Sequence, residues 1–149
     1  MKLEIVVLFS YLLGSIPFGY ILTRIFLKKD IRKIGSGNIG ATNVLRTGNK
    51  KLAFYTLILD LSKSLLLLLF IKYSLVQTLN NDLLINVYII SAFLSLLGHM
   101  YSPFLKLRGG KGIATTAGIL IFISYPTAIL SATIWILVAI NTKKSSSSK

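Results

Sequence analysis

Long apolar runs separated by charged residues dominate the hydrophobic pattern of the chain. A helix needs about 20 mostly apolar residues, at about 1.5 Å per residue, to cross about 30 Å of hydrocarbon. The pattern therefore predicts an all-α fold, a polytopic integral membrane helical bundle with four to five transmembrane helices, built as a single domain over residues 1–142. The predicted spans are residues 5–23, 52–71, 83–100 and 112–140.

The fourth apolar region is too long for one straight crossing and barely long enough for two. Pro126 lies near its middle, where a proline removes a backbone hydrogen bond and kinks or ends a helix. One kinked helix and a short hairpin of two helices both fit residues 112–140. Segment 143–149 contains lysines and four consecutive serines, so we predict a disordered basic tail.

Small residues are concentrated in the first span, where Gly14, Ser15, Pro17 and Gly19 lie close together. Small side chains allow the backbones of neighbouring membrane helices to approach closely. We therefore expect this part of an otherwise continuous helix over residues 5–23 to pack directly against another helix.

Composition supports a membrane protein and narrows its chemistry. Hydrophobic residues make up 54% of the 149 positions and charged residues 14%, whereas a soluble domain carries roughly 25% charged residues. The chain has no cysteine and one histidine, which excludes thiolate chemistry and leaves too few ligands for a metal site. We expect no metal and no other cofactor.

The net charge of +13 falls mainly in two loops, residues 24–51 and 101–111. Lysine and arginine favour the cytoplasmic side of a membrane protein. Both loops are therefore predicted to be cytoplasmic. The basic tail is then also expected on the cytoplasmic side. This requires an even number of crossings after Lys111 and so favours the hairpin.

The first of these loops contains a glycine-rich polar segment, residues 35–43. Glycine allows backbone conformations in which successive N–H groups converge on an anion. Hydroxyl and amide side chains add donors, and nearby arginines supply planar groups that suit phosphate oxygens. We interpret the segment as a phosphate-binding site, with a flexible polar linker as the alternative. Its candidate residues are Gly35, Ser36, Asn38, Gly40, Thr42, Asn43 and Arg46.

The second loop ends in a similar segment, in which Gly109, Gly110 and Gly112 surround Lys111. Backbone amides, an ammonium group and the start of a following helix together suit a second phosphate. The segment is not a Walker A loop, because Gly112 stands where a serine or threonine is required. The sequence therefore lacks the motif that would be the main argument for nucleotide hydrolysis.

Three ionisable residues lie within the predicted spans or at their ends. His99 is the single imidazole, a candidate general acid or base, although a structural role is the alternative. Asp60 and Lys63 are three residues apart and so share one helix face. Charges at membrane depth need a partner or a wet cavity. We interpret them as an intrahelical pair facing the bundle interior, with a role in substrate binding as the alternative.

The two glycine-rich segments together resemble a known family. The motif Gly35-Ser36-x-Asn38-x-Gly40-Ala41-Thr42-Asn43, followed by Gly98-His99 and by Arg108-Gly109-Gly110-Lys111-Gly112, is similar to the bacterial acyl-phosphate:glycerol-3-phosphate acyltransferases, the PlsY family. The resemblance covers about residues 11–125. It implies a multi-pass enzyme of the bacterial inner membrane that transfers a fatty acyl group from acyl phosphate to the 1-hydroxyl of glycerol 3-phosphate, giving lysophosphatidic acid.

The resemblance also implies roles for particular residues. Ser36 and Arg46 are expected to be essential in the first motif, and residues 109–112 to bind glycerol 3-phosphate. The implied partners are the two substrates and membrane lipid. Nucleic acid is not expected, because no aromatic stacking platform accompanies the basic residues. The proton released from the hydroxyl has two candidate acceptors, His99 and a substrate phosphate.

One departure from the family concerns the third cytoplasmic motif, which contains His, Asn and Glu in the family and which this sequence lacks. We therefore expect a truncated chain whose activity is impaired. The alternatives to an active enzyme are an inactive remnant and a small membrane transporter of phosphate or another anion, in which the glycine-rich loops bind phosphate without chemistry.

Overall fold

The computed structural model describes residues 3–147, which form helices joined by short loops. No strand occurs among these residues, and the predicted all-α class is confirmed. Two short 3-10 helices, Ile31–Lys33 and Pro103–Leu105, lie in the two long loops. The α-helices are α1 (Leu3–Gly14), α2 (Phe18–Leu27), α3 (Ala41–Leu45), α4 (Lys50–Leu75), α5 (Asn81–Met100), α6 (Ile113–Ile123) and α7 (Tyr125–Ser147).

Two helices, α4 and α5, are each long and apolar enough to cross a membrane. Helices α1 and α2 meet the same requirement only as a pair, which is bent by 42°. Helix α6 and residues Tyr125–Val138 of α7 are shorter apolar helices. The described residues thus contain two or three spans by length and composition. The count of four to five transmembrane helices stays a prediction.

The first span is not the continuous helix that we expected over residues 5–23, because the chain leaves helical geometry between Gly14 and Phe18. Pro17 has no N–H to donate, and it disfavours helical backbone at the residue before it. The N–H of Ile16 accordingly reaches the carbonyl of Leu13 over 3.3 Å. The break leaves the carbonyl oxygens of residues 15 and 16 available to donors from other segments.

The fourth apolar region consists of α6 and α7, which are separated by the extended residue Ser124. Pro126 lies in the first turn of α7, where the missing N–H would have no helical partner in any case. The structure does not decide between a kinked span and a hairpin. Helix α7 continues to Ser147, into the segment 143–149 that we predicted to be disordered, and residues 148 and 149 lie outside the described residues.

Buried apolar side chains form two clusters. The larger one lies among α1, α4, α5 and α6 and includes Leu67, Leu68 and Ile71, which are at most 1% exposed. The smaller one lies among the two long loops and the start of α4, and includes Ile39 and Leu105. Many large apolar side chains on the outer faces of the helices are exposed, as expected of a surface that contacts lipid.

Small residues bring helix backbones into direct contact. A Cβ added at Gly14 would collide with the backbone of Ser95 in α5, and one added at Gly118 would collide with the carbonyl of Leu61 in α4. The close packing predicted for the small residues of the first span is therefore confirmed at Gly14. Gly19 lies instead against the carbonyl of Ile39, in the first glycine-rich loop.

Candidate functional site

Asn43 organises the first glycine-rich loop from its centre. Its side chain is buried, and its amide nitrogen lies 3.1, 2.8 and 2.8 Å from the carbonyl oxygens of Ile31, Ile34 and Asn38. Its Oδ1 accepts a hydrogen bond of 3.1 Å from the N–H of Ser36. One side chain thereby satisfies four backbone groups and fixes the path of the whole loop.

Arg46 packs over the turn that precedes Ser36. Gly35 has a φ of 53°, a left-handed conformation that glycine adopts readily. A Cβ at Gly35 would lie 2.5 Å from Asn43 Oδ1 and 2.9 Å from Arg46 Cδ. The absence of a side chain at Gly35 therefore allows Arg46 to lie directly beside the Ser36 segment.

The polar side chains of this loop divide into supporting groups and available donors. Asn38 Oδ1 accepts from the N–H of Gly40 over 2.9 Å and, like Asn43, supports the loop. Ser36, Thr42 and Arg46 are exposed. The hydroxyl and guanidinium groups of these three residues make no hydrogen bond to another side chain or backbone group within residues 3–147. They are the groups in this loop that remain available to an anion.

The second glycine-rich loop folds back onto the end of α5. The N–H groups of Gly109 and Gly110 donate to the carbonyls of Met100 and His99, each over 2.9 Å. A Cβ at Gly109 would collide with the His99 carbonyl, and a Cβ at Gly110 would collide with His99 Nε2. We expected these two N–H groups to face a phosphate, but they are bonded within the chain. Glycine is needed here because the loop lies too close to α5 for a side chain.

Lys111 is the available charge of the second loop. It is exposed, and it makes no ion pair in the part of the chain that the structure describes. Gly112, with a φ of 81°, turns the chain into α6 and lies against Leu96. The ammonium group of Lys111 is thus attached next to the positive end of a helix dipole, a favourable position for an anion.

A group of buried polar side chains lies beneath this loop. Lys63 Nζ is 3.0 Å from Asp60 Oδ1, 2.8 Å from His99 Nδ1 and 3.1 Å from the Ile16 carbonyl oxygen. Asp60, Lys63 and His99 are 2–4% exposed. The predicted interior pair of Asp60 and Lys63 is confirmed. His99 and the Ile16 carbonyl at the helix break, which also accepts from the N–H of Phe18, complete the group, and these contacts join three separate segments.

Both loops are attached to the same end of the bundle. Leu105, between α5 and the second glycine-rich loop, packs in the same buried cluster as Ile39 and Val44 of the first loop. The Ser102 hydroxyl donates over 2.7 Å to the carbonyl of Ser15, at the break between α1 and α2. The two segments that carry the exposed donors therefore pack against the same buried cluster.

Comparison with known proteins identifies the family. The family model described as glycerol-3-phosphate acyltransferase matches residues 4–149. The chain belongs to this family. The glycerol-3-phosphate acyltransferases of Pelagibacter ubique and Bartonella henselae are 51% and 46% identical over 98% and 95% of this chain. The matches cover 72% and 65% of the lengths of those relatives.

Solved structures of a family member agree with the fold. Crystal structures of PlsY, an integral membrane glycerol 3-phosphate acyltransferase, in its glycerol 3-phosphate and lysophosphatidic acid forms match with TM-scores of 0.81 and 0.76 at 35% identity. They are matched over 93% and 91% of this chain and over 66% and 64% of the PlsY chain. The chain therefore spans about two thirds of the length of these relatives. The likeness to an integral membrane protein confirms the predicted membrane-protein class.

The sequence alone did not reveal the residues that connect the two loops. The hydrogen bond between Ser102 and Ser15 was not predicted. Asp60 was the predicted partner of Lys63, which also contacts the Ile16 carbonyl and His99. One signal was present, since Pro17 in an apolar span predicts a break whose freed carbonyls need donors. Which donors reach them depends on how the helices pack.

Proposed function

We propose that this chain transfers a fatty acyl group from acyl phosphate to the 1-hydroxyl of glycerol 3-phosphate, giving lysophosphatidic acid and phosphate at the cytoplasmic face of the bacterial inner membrane. The observation that carries the proposal is the placement of Ser36, Arg46 and Lys111 as exposed donors on two loops at one end of an apolar bundle. Relatives named for glycerol-3-phosphate acylation support this choice of substrate.

Two phosphorylated substrates require two places for an anion, and each loop offers one. The first loop presents the Ser36 hydroxyl next to the Arg46 guanidinium, a planar group that suits phosphate oxygens. We assign acyl phosphate to it. The second loop presents Lys111 beside the start of α6, and we assign glycerol 3-phosphate to that loop. Asn38, Asn43, Gly109 and Gly110 then act by shaping the loops.

The reaction needs positioning and charge stabilisation, because acyl phosphate is already an activated mixed anhydride. The 1-hydroxyl oxygen of glycerol 3-phosphate attacks the acyl carbon and forms the ester bond. The bond from the acyl carbon to the phosphate oxygen breaks, and phosphate leaves with the electron pair. Fixed positive groups such as Arg46 and Lys111 stabilise the charge that develops on the carbonyl and the leaving phosphate.

The proton of the hydroxyl goes to a phosphate oxygen. His99 was the alternative acceptor, but it is 4% exposed, its Nδ1 contacts Lys63 and its Nε2 faces Gly110. A general base must lie within hydrogen-bond reach of the proton that it removes. The buried position of His99 therefore favours a substrate phosphate as the acceptor.

The apolar surface of the bundle suits the acyl chain and the surrounding lipid. Large side chains such as Phe54, Ile58 and Phe70 of α4 are exposed, and lipid covers such a surface in a membrane. Lys28, Lys29 and Lys33, at the end that carries the loops, are also exposed. Basic residues at one end of the spans support a cytoplasmic location of the site.

The test uses the purified chain in liposomes, supplied with acyl phosphate and radiolabelled glycerol 3-phosphate. Labelled lysophosphatidic acid should form, and Ser36→Ala and Lys111→Ala should each lower its rate at least about 100-fold, as expected when a group that stabilises transition-state charge is removed. Lys51→Ala removes an exposed lysine at the start of α4 and should have no effect. Product that survives both site substitutions contradicts the assignment. Uptake of label without acylation favours a transporter.

A further inference from the structure

We infer that Lys63 is a positioning residue that holds His99 as the tautomer with its proton on Nε2 and, through His99, sets the position of the loop of residues 109–112. The Lys63 ammonium group makes the buried contacts that support this role. Its consequence for glycerol 3-phosphate rests on the proposed function, whereas the state of the His99 ring follows from the contacts alone.

The hydrogens of Lys63 are fully occupied inside the chain. An ammonium group has three N–H donors, and Lys63 Nζ has three partners: Asp60 Oδ1, the Ile16 carbonyl oxygen and His99 Nδ1. The lysine is 4% exposed. No donor remains for a substrate, so Lys63 connects segments of the protein and does not bind phosphate.

The contact with Lys63 determines which ring nitrogen of His99 carries the proton. An ammonium group donates and cannot accept, so Nδ1, at 2.8 Å from Lys63 Nζ, must accept and must be unprotonated. A neutral ring then has its proton on Nε2. This is the nitrogen that faces Gly110.

Asp60 does not hold His99 in the opposite state. In a serine-protease triad a carboxylate accepts from Nδ1–H, which leaves Nε2 free to act as a base. Here Asp60 Oδ1 is 3.6 Å from His99 Nδ1, beyond hydrogen-bond distance. The same oxygen is 3.0 Å from Lys63 Nζ. Lys63 Nζ is therefore the hydrogen-bond partner of both the carboxylate and the imidazole, and it imposes the tautomer opposite to the one that a carboxylate–imidazole pair would impose.

The second glycine-rich loop rests on this ring. The N–H of Gly110 donates to the His99 carbonyl over 2.9 Å, and a Cβ on Gly110 would collide with Nε2. Main chain and side chain of His99 thus contact the same glycine, one residue before Lys111. A rotated imidazole would move the loop, and with it the Lys111 ammonium group.

The ring state can be measured directly, because His99 is the only histidine in the sequence. Selective ¹⁵N labelling of histidine gives two ring signals from the purified chain in detergent micelles. At pH 7 we expect Nε2 to show the chemical shift of a protonated nitrogen and Nδ1 that of an unprotonated one. A proton on Nδ1, or on both nitrogens, would overturn the inference.

Variants test whether Lys63 sets this state. The double variant Asp60→Asn with Lys63→Met removes both charges together, so no buried carboxylate is left without its partner. We expect its two ring signals to move toward the average of a free imidazole. Lys63→Gln keeps an N–H donor and should retain the Nε2–H tautomer. Lys72→Met, at an exposed lysine of the same helix, should leave the spectrum unchanged. Unchanged signals in the double variant would contradict the role of Lys63.

Kinetics separate positioning from a purely structural role. Misplacement of the loop should raise the KM for glycerol 3-phosphate at least about tenfold in the double variant, with the KM for acyl phosphate unchanged, since small misplacements of bound groups are costly. Lys63→Gln should restore most of the affinity. Equal increases in the KM for both substrates would overturn the link between Lys63 and the loop of residues 109–112. A wild-type chain that forms no product would contradict the proposed function, and the ring signals would still decide the tautomer.

Discussion

The Ser36 N–H donates to Asn43 Oδ1 over 3.1 Å, which joins an exposed residue of the first loop to the buried amide at its centre. The opposite end of the same amide reaches three carbonyl oxygens of the loop. The position of the Ser36 hydroxyl therefore depends on an asparagine that is itself buried. Substitutions can separate these supporting contacts from contacts with substrate.

Asn43→Asp should destabilise the chain and abolish acyl transfer. The carboxylate keeps the acceptor for Ser36, but it loses both amide hydrogens, leaves the Asn38 carbonyl without its donor and places a buried negative charge beside three carbonyl oxygens, at a cost of about 3 kcal/mol. Thermal unfolding in detergent measures the loss. Asn38→Asp is the matched control, because Asn38 uses only its oxygen, toward Gly40. Equal stability of the two variants would refute the distinction.

Gly110→Ala should weaken glycerol 3-phosphate binding while the helices remain folded. The added methyl group collides with the His99 ring, so the loop and Lys111 must shift. We expect the KM for glycerol 3-phosphate to rise by about 100-fold, as when reacting groups are misplaced by about 1 Å. Ser74→Ala, at an exposed serine of α4, is the control. Wild-type kinetics for Gly110→Ala would contradict the close packing of loop and ring.

Ser102→Ala should destabilise the contact between the second loop and the helix break. The substitution removes the 2.7 Å hydrogen bond to the Ser15 carbonyl, and both residues are at most 1% exposed. Loss of a partner for a buried carbonyl costs about 1–2 kcal/mol. Chemical denaturation would measure it against Ser74→Ala, an exposed serine of α4. No difference between the two serines would show that the contact contributes nothing.

Stability should fall in acid as Asp30 is protonated. Arg32 donates to Asp30 over 2.9 and 2.7 Å, and this hydrogen bonding lowers the pKa of the Asp30 carboxyl to about 2. Because the folded pKa lies below the value of about 3.9 for an unfolded chain, the stabilisation is present above pH of about 4 and is lost as the pH falls toward 2. Unfolding of wild type and Asp30→Asn should therefore differ above pH 4 and converge near pH 2. A difference that persists at pH 2 would argue against this cause.

The two loops should be accessible from the same side of the membrane. The sequence lacks cysteine, so single cysteines can be introduced at exposed positions: Lys33→Cys in the first loop, Phe104→Cys in the second and Tyr73→Cys near the end of α4. A membrane-impermeant thiol reagent on the cytoplasmic side should label positions 33 and 104 but not 73. Labelling of 33 and 104 from opposite sides would rule out a shared site, since the two substrates could not meet.

The sequence by itself was sufficient for the helical class, the family and the interior pair of Asp60 and Lys63. Each of these depends on local features: apolar runs long enough to span a membrane, two motifs of fixed spacing, and two charges three residues apart on one helix face. Residue type and loop position also made Ser36, Arg46 and Lys111 candidates for the site.

The tertiary structure alone decided which of the candidate groups remain available. The amide hydrogens of Asn43, Gly109 and Gly110 are bonded within the chain, and His99 contacts a lysine 36 residues away. Donors and acceptors buried on folding must find partners, and those partners come from whichever segments the helix packing brings near. Because the sequence separation of such partners follows no local pattern, their identity emerged only from the packed bundle.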